Sequence, residues 1–166
     1  IKKIILPGVG HFDYAMTSLI DSGLNVHLKE AVLAKNTPIL GICLGMQLLL
    51  DNSQEGGSSG LGLIPGKVVK IQPIANEQLR IPHVGWRWIE RDKVSRLYPN
   101  LEAKLRFYFT HSFIACPSDE TMITSTVNYG SKFCASLEHK NILGVQFHPE
   151  KSHRFGIELI KNFCEL

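Results

Sequence analysis

The spacing of hydrophobic positions changes along the chain, and these changes predict where helices and strands alternate. An apolar run over residues 1–6 stops at Pro7, which indicates a short buried strand that ends in the loop PGVG. Over residues 13–34 apolar positions recur at helical spacing. The segment PILGIC, residues 38–43, predicts a second strand, and GMQLLLDNS predicts a helix directly after it.

The second half of the chain has the residue pattern of β-strands. Residues 53–66, SQEGGSSGLGLIPG, are rich in glycine and serine and predict a mobile surface loop. Turn residues then separate the β-rich runs KVVKIQPI, LRIPHVGWRWIE, KLRFYFTHSFIAC, TMITSTV and FCASLEHKNILGVQFHP. The final GIELIKNFCEL has the pattern of an amphipathic helix. We therefore predict one α/β domain over residues 1–166, with a mostly parallel central sheet flanked by helices and an antiparallel β extension.

Composition narrows the classes of function. At 166 residues and 44% hydrophobic composition, the chain is long enough for a core of its own. The net charge of +3 comes from 18 basic and 15 acidic residues that are spread along the chain, so nucleic-acid binding is not indicated. Apolar runs are too short for a bilayer, and no signal peptide opens the chain. The four cysteines lack metal-ligand spacing, so we expect reduced thiols, a cytoplasmic location and no metal or organic cofactor.

The strongest chemical signal is Cys43, which stands between two glycines in GICLG. A strand before it and an apolar helix after it form the frame of a nucleophile elbow, in which glycines permit a sharp turn. The helix N-terminus would favour a thiolate, and the backbone N–H of Leu44 would face a developing oxyanion. A buried structural cysteine beside packing glycines fits the same pattern equally well.

A cysteine nucleophile needs a base, and His148 is the best placed of the seven histidines. The run ILGVQF would deliver it to the carboxyl end of a strand, where open α/β sheets place their chemistry. Glu150 follows after Pro149, close enough to orient the imidazole. A His-Pro-Glu turn alone is more often structural, but together with the Cys43 elbow it favours a Cys-His-Glu triad.

The loop LPGVG supplies a third part of such a site. An acyl-transfer site needs a second oxyanion donor besides Leu44, and the backbone amide of Val9 or Gly10 would supply it. The alternative is an ordinary turn between a strand and a helix.

The segments LPGVG, PILGICLGMQLL and GVQFHPEKS together resemble class I (triad) glutamine amidotransferases, which have a flavodoxin-like core. Within that group, IPHVGW, FYFTHSF and NYGSKFCAS are similar to the glutaminase subunits of imidazole glycerol phosphate synthases. The resemblance runs from residue 1 to the end of the chain. Most such relatives begin with a further strand and helix, so we expect that an N-terminal unit is missing here.

The resemblance implies a role for each matching residue. Cys43 would attack the side-chain amide of glutamine, His148 would transfer the protons, and Glu150 would hold His148. The backbone amides of Val9 and Leu44 would form the oxyanion hole. The residues implied in glutamine binding are Gly10, Gln47, Ser112 and Phe113. The residues implied at a partner interface are Trp86, Tyr108 and His111, which could equally be ordinary core aromatics.

The resemblance also implies a partner. Ammonia would pass to a cyclase subunit in a heterodimer that makes imidazole glycerol phosphate for histidine biosynthesis. Arg87 stands where relatives commonly have Asn, and Phe113 where they usually have Tyr, so partner identity and glutamine contacts stay open. One alternative is a paralogous glutaminase subunit that feeds a sugar amidotransferase in surface-polysaccharide biosynthesis. Two others are a free-standing cysteine hydrolase of flavodoxin-like fold and a non-catalytic interaction subunit.

Overall fold

The computed structural model describes residues 1–72, 79–91, 93–100 and 104–166. The end of the predicted run KVVKIQPI lies outside these residues. A π-helical turn, Glu30–Ala34, directly follows the helix Leu24–Lys29. In chain order, the helices and strands of the described residues are β1 Ile4–Gly8, α1 Phe12–Asp21, α2 Leu24–Lys29, β2 Ile39–Cys43, α3 Leu44–Leu48, β3 Asn52–Ser53, β4 Gly66–Lys70, β5 His83–Trp88, β6 Arg106–His111, β7 Phe113–Pro117, β8 Ile123–Tyr129, β9 Ser131–His139, β10 Ile142–Val145 and α4 His153–Glu165.

The main sheet has five strands in the order β1-β2-β10-β9-β8. Strands β1, β2 and β10 are parallel, whereas β9 pairs antiparallel with both β10 and β8. This arrangement confirms the predicted parallel core with an antiparallel extension. Every residue of β2 and β10 is buried, because a central strand that is covered on both faces carries apolar side chains on both sides.

Two smaller sheets lie beside the main one. Strands β3, β4 and β7 form a three-stranded sheet, and β5 pairs with β6. Because β6 ends at His111 and β7 begins at Phe113, the chain passes from one sheet into the other at Ser112. Ser112 and Phe113, two of the residues predicted to bind glutamine, therefore lie at a junction between sheets.

The core consists of two clusters that the central strands separate. Neighbouring side chains of a strand point to opposite faces, so Ile39 joins one cluster and Leu40 the other. Ile142 and Leu143 divide in the same way. The first cluster includes residues of α1 and α3, and the second includes residues of β6 and α4. Strand β2, which leads to Cys43, is thus fixed from both sides.

The glycine-rich segment differs from its prediction. The carboxylate of Asp13 accepts hydrogen bonds from the backbone N–H groups of Gly57 and Ser58, at 3.0 and 2.9 Å. Leu61 and Ile64 are fully buried in the core. The prediction of a mobile surface loop is therefore wrong, since tertiary contacts that no local pattern reveals hold this segment in place. Among the described helices, none is long and apolar enough to cross a membrane.

Candidate active site

The elbow at Cys43 has the geometry that its glycines predict. Cys43 adopts φ 53° and ψ −108°, a conformation that L-residues rarely occupy and that is typical of strained functional turns. A Cβ on Gly45 would lie 1.8 Å from the carbonyl oxygen of Leu6, and one on Gly41 would lie 2.7 Å from the nitrogen of Met46. Both glycines are therefore required for α3 to approach β1 and β2 closely, which confirms the predicted elbow.

The Cys43 thiol is only 6% exposed, and this burial sets its chemistry. Burial raises the pKa of Cys43 to about 11, although the Leu44 backbone N–H and the Gln146 amide both favour the thiolate. The negative charge of Glu150 raises this pKa further. The Leu44 N–H therefore favours the thiolate as predicted, but desolvation is the larger effect and shifts the Cys43 pKa upward overall.

His148 faces the same cleft as Cys43, but no hydrogen bond joins its Nε2 to Sγ, and the thiol donates instead to the Thr110 carbonyl at 4.0 Å. Nδ1 of His148 lies 2.6 Å from Oε1 of Glu150, so Nδ1–H donates to the carboxylate and Nε2 keeps its lone pair. The His148 side chain is 1% exposed, and no described residue hydrogen-bonds Nε2. The backbone N–H of His148 donates to the carbonyl of Tyr108 at 2.9 Å, which fixes the ring on its turn after β10. The predicted His148–Glu150 pair is thus formed.

One cleft of about 360 Å³ brings the predicted residues together. This volume is within the range of small-ligand pockets. Glu150 stands behind His148 rather than in the cleft wall. The lining residues are Val9, Gly10, Cys43, Leu44, Gln47, Glu55, Pro82, Thr110, His111, Ser112, Phe113 and His148.

The Val9–Gly10 side of the cleft is open. Val9 is 77% exposed, and Gly10 has φ 105°, in the region that favours glycine. The loop ends at His11, whose side chain caps α1 by accepting from the Asp13 N–H. The oxyanion role of Val9 stays a prediction, and so does the glutamine contact of Gly10.

Gln47 is held in one orientation inside the cleft. Its Nε2 donates to the carbonyl of Phe113 at 3.0 Å and to Oε1 of Gln146 at 3.2 Å. Both amide hydrogens are therefore used, and Oε1 of Gln47 is left as an acceptor. This arrangement is compatible with the predicted role of Gln47 in binding glutamine.

The sequence did not predict Glu55, Pro82 and Thr110 in the cleft wall, nor Gln146 beside Cys43. Glu55 lies in the supposed loop, where its Oε2 accepts from the Phe12 N–H at 2.9 Å. Gln146 is fully buried, and its Nε2 donates to Cys43 Sγ at 3.7 Å. A polar residue inside the apolar run ILGVQF was a signal for Gln146. A single acidic residue among glycines is too common to identify Glu55.

Trp86 and Tyr108 lie outside the cleft, on an aromatic and basic surface. Their rings meet edge to face with centroids 6.1 Å apart, and His153 stacks on Trp86 at 5.4 Å. Arg106 lies over Trp86 at 5.4 Å, and Lys151 lies over Tyr108 at 5.8 Å. Their predicted place at a partner interface stays a prediction.

His111 does not join this surface. It is 6% exposed, it lines the cleft, and its ring pairs with that of His83. Its predicted interface role also stays a prediction. Within the described parts of the chain, His, Cys, Asp and Glu side chains form no group that could hold a metal ion.

Comparison with known proteins gives consistent matches. Residues 2–166 match the family "Glutamine amidotransferase class-I". The chain is 45% identical over 166 residues to imidazole glycerol phosphate synthase subunit HisH of Leptospira borgpetersenii, covering 99% of this chain and 81% of that protein. It is 48% identical over 165 residues to subunit HisH 1 of Campylobacter jejuni (strain RM1221), with the same coverage.

Solved structures agree on the fold. A crystal structure of glutamine amidotransferase superposes with a TM-score of 0.73 at 16% identity, covering 99% of this chain and 78% of the other. The glutaminase domain of Trypanosoma brucei CTPS with bound acivicin gives a TM-score of 0.61 at 15% identity, covering 99% and 71%. These likenesses confirm the predicted architecture.

Proposed function

The chain belongs to the class-I glutamine amidotransferase family, and from this premise we propose that it is the glutaminase subunit of an imidazole glycerol phosphate synthase. It hydrolyses glutamine to glutamate and ammonia, and the ammonia passes to a synthase subunit in histidine biosynthesis. The observation that carries this proposal is the single cleft in which Cys43, Leu44, Gln47 and His148 meet.

The reaction begins with a neutral thiol. As Sγ of Cys43 bonds to the side-chain carbonyl carbon of glutamine, its proton moves to Nε2 of His148, which has the free lone pair. Because burial raises the pKa of Cys43 to about 11, a base that takes the thiol proton assists the attack. Glu150 supports the imidazolium that forms.

The remaining steps return the proton and release the products. The carbonyl oxygen becomes an oxyanion, which the backbone N–H groups of Leu44 and Val9 stabilise. His148 then donates its proton to the departing nitrogen, ammonia leaves, and a thioester to Cys43 remains. His148 next takes a proton from water, whose oxygen attacks the thioester, and returns that proton to sulfur as glutamate leaves.

The acceptor groups in the cleft suit the α-amino end of the glutamine substrate. Glu55 brings a carboxylate to the cleft wall, which suits the ammonium group of the substrate. Oxygen Oε1 of Gln47 is a second acceptor in reach of the same cleft. Ser112 and Phe113 close the opposite side at the junction of β6 and β7.

The aromatic and basic surface suits a protein partner. Trp88 is 55% exposed and extends the Trp86–Tyr108 surface, and exposed aromatic and arginine side chains are enriched at interfaces. The surface is coupled to the site, because the Tyr108 carbonyl holds the backbone of His148. Arg106 and Lys151 favour an acidic partner face.

The test is release of glutamate from glutamine by the complex of this protein with its synthase subunit. We expect activity that depends on Cys43 and supports glutamine-dependent synthesis of imidazole glycerol phosphate. A glutaminase that supports a sugar amidotransferase instead would overturn the proposed pathway and keep the chemistry. An absence of glutaminase activity in the complex would overturn both.

A further inference from the structure

A buried pair of histidines that the triad does not use lies at the cleft: His111 is in its wall, and His83 is hydrogen-bonded to His111. His83 is fully buried and His111 is 6% exposed. Nδ1 of His83 lies 3.0 Å from Nε2 of His111, and Nδ1 of His111 lies 2.8 Å from the carbonyl oxygen of Phe113. The pair therefore connects the end of the β5–β6 sheet, where β5 begins and β6 ends, to the wall of the glutamine site.

The position of each proton in this pair is fixed by its neighbours. A carbonyl oxygen only accepts, so His111 must carry its proton on Nδ1. Its Nε2 is then an acceptor, and His83 must donate from Nδ1. A further proton on His111 would point at the N–H of His83, and one on Nε2 of His83 would meet no described partner. Burial accordingly lowers the pKa of His83 to about 3 and that of His111 to about 4.

The hydrogen bonds continue to the nucleophile. The Phe113 carbonyl that accepts from His111 also accepts from Nε2 of Gln47 at 3.0 Å. Gln47 passes its second amide hydrogen to Gln146 at 3.2 Å, and Gln146 donates to Cys43 Sγ at 3.7 Å. One unbroken chain of hydrogen bonds therefore runs from the histidine pair to the reacting sulfur.

A column of stacked groups holds His83 in place. Its ring lies between Phe109, at 5.0 Å, and Tyr129, at 4.0 Å, with interplanar angles of 27° and 25°. Arg87 covers the Tyr129 ring at 5.3 Å. Arg87 thus ends the column on which His83 is fixed.

We propose that His111, oriented by His83, is a positioning residue for glutamine binding: it anchors the Phe113 carbonyl, and this carbonyl keeps the Gln47 amide oxygen turned into the cleft. The inference rests on the proposed function, because it assigns a task within glutamine hydrolysis. Neither histidine touches the reacting atoms. Their loss therefore weakens glutamine binding more than it slows chemistry.

The test compares His111→Phe with His111→Asn in the complete protein with its synthase subunit and acceptor. Both variants remove the acceptor for His83, but the Asn side-chain N–H₂ can occupy the place of Nδ1 and still donate to Phe113. We expect His111→Phe to raise KM for glutamine about five- to tenfold, the value of one hydrogen bond, with a smaller change in kcat. His111→Asn should keep KM within about twofold of wild type. His27→Asn, at an exposed position, is the control for an unrelated histidine loss.

Melting temperatures of the same variants separate positioning from folding. A KM that rises equally in both variants, or that follows the melting temperature, would overturn the positioning role. Nitrogen-15 shifts give a second readout, since both rings should be in the Nδ1–H form, and an Nε2–H form of His111 would also overturn it. If the wild-type complex fails to hydrolyse glutamine, the proposed function fails and this inference with it. An active wild type with an unchanged KM in His111→Phe overturns the inference alone.

Discussion

The two walls of the cleft are built in opposite ways. One wall carries Cys43, Gln47 and His148, whose exposed fractions are 6%, 4% and 1%. The other is the loop with Val9, which is 77% exposed, and Gly10. The groups proposed to make and break bonds are therefore buried, whereas Val9, in the loop expected to complete the oxyanion hole, is largely exposed. Control over the rate is more easily exerted through the exposed wall than through the buried one.

Glycines in the two walls show the same difference. A Cβ on Gly45 would collide with the backbone of β1 at 1.8 Å, so this glycine serves close packing. A Cβ on Gly10 would meet no described atom within 4 Å, so this glycine serves a backbone conformation, with φ 105°. Close packing locks the first wall, and a permissive backbone leaves the second free to change.

Removal of the nucleophile should have the largest effect on the buried wall. We expect Cys43→Ala to lower glutamine hydrolysis by a factor on the order of thousands or more, because no thioester can form. Synthesis by the partner from added ammonium salts should persist, which shows that the complex is intact. Near-normal glutaminase activity in Cys43→Ala would refute the assignment of the nucleophile.

His148→Asn should be nearly as damaging, and Glu150→Gln should be milder. In the proposed mechanism His148 transfers the protons, whereas Glu150 orients and supports it across a 2.6 Å contact. The losses should not multiply, because the triad acts as a unit. Steady-state kinetics of the Cys43→Ala, His148→Asn double variant measures this, and a loss equal to the product of the single losses would contradict the triad.

The exposed wall should respond to the partner. Gly8 and Gly10 flank Val9, so the intervening peptide can rotate at low steric cost. We expect the isolated protein to bind glutamine but hydrolyse it slowly, and the loaded partner to raise kcat about a hundred- to a thousandfold, the value of one oxyanion donor. Steady-state kinetics with and without partner and acceptor measure the ratio of kcat. Full-speed hydrolysis by the isolated protein would refute gating and favour a free-standing hydrolase.

Matched glycine substitutions compare the walls directly. Gly45→Ala should destabilise the protein by about 3 kcal/mol or more, because backbone must shift to admit the methyl group. Gly10→Ala has space and should cost only about 1–2 kcal/mol of backbone strain. Denaturant unfolding measures both free energies, and equal losses would show that the two walls are packed alike.

The sequence predicted the site geometry correctly where the residues involved lie close together along the chain. The Cys43 elbow and the His148-Pro149-Glu150 turn each lie within a few residues, so their patterns predicted real geometry. Prediction failed where distant segments meet. Glu55 reaches the cleft through a contact with the start of α1, and burial that only the folded chain creates raises the pKa of Cys43, an effect that the local pattern does not reveal. The His83–His111 pair also joins separate strands, and neither histidine has a local signature.

The buried wall should also show a pH response in stability. His83 faces His111 and Arg87, and His111 faces His148. Burial, the larger cause, and these neighbours lower the pKa of His83 to about 3 and that of His111 to about 4 from an ordinary 6.5. Below pH 6.5 the unfolded chain therefore binds protons that the folded chain refuses, so the free energy of unfolding falls as pH decreases from 6.5 towards 4.

The fall in the free energy of unfolding is small near neutral pH and steepens to about 1.4 kcal/mol per pH unit for each histidine. The fold lowers the pKa values of carboxylates such as those of Asp13 and Asp119, so their contribution to stability is lost only at more acidic pH. Between pH 6.5 and about 5 the change in the free energy of unfolding therefore comes from the histidines. Urea unfolding between pH 7.5 and about 5 measures the slope, and the His83→Asn, His111→Asn double variant should flatten it. A slope that the double variant retains would mean that other groups carry the acid response, and that the two histidines are not held neutral by the fold.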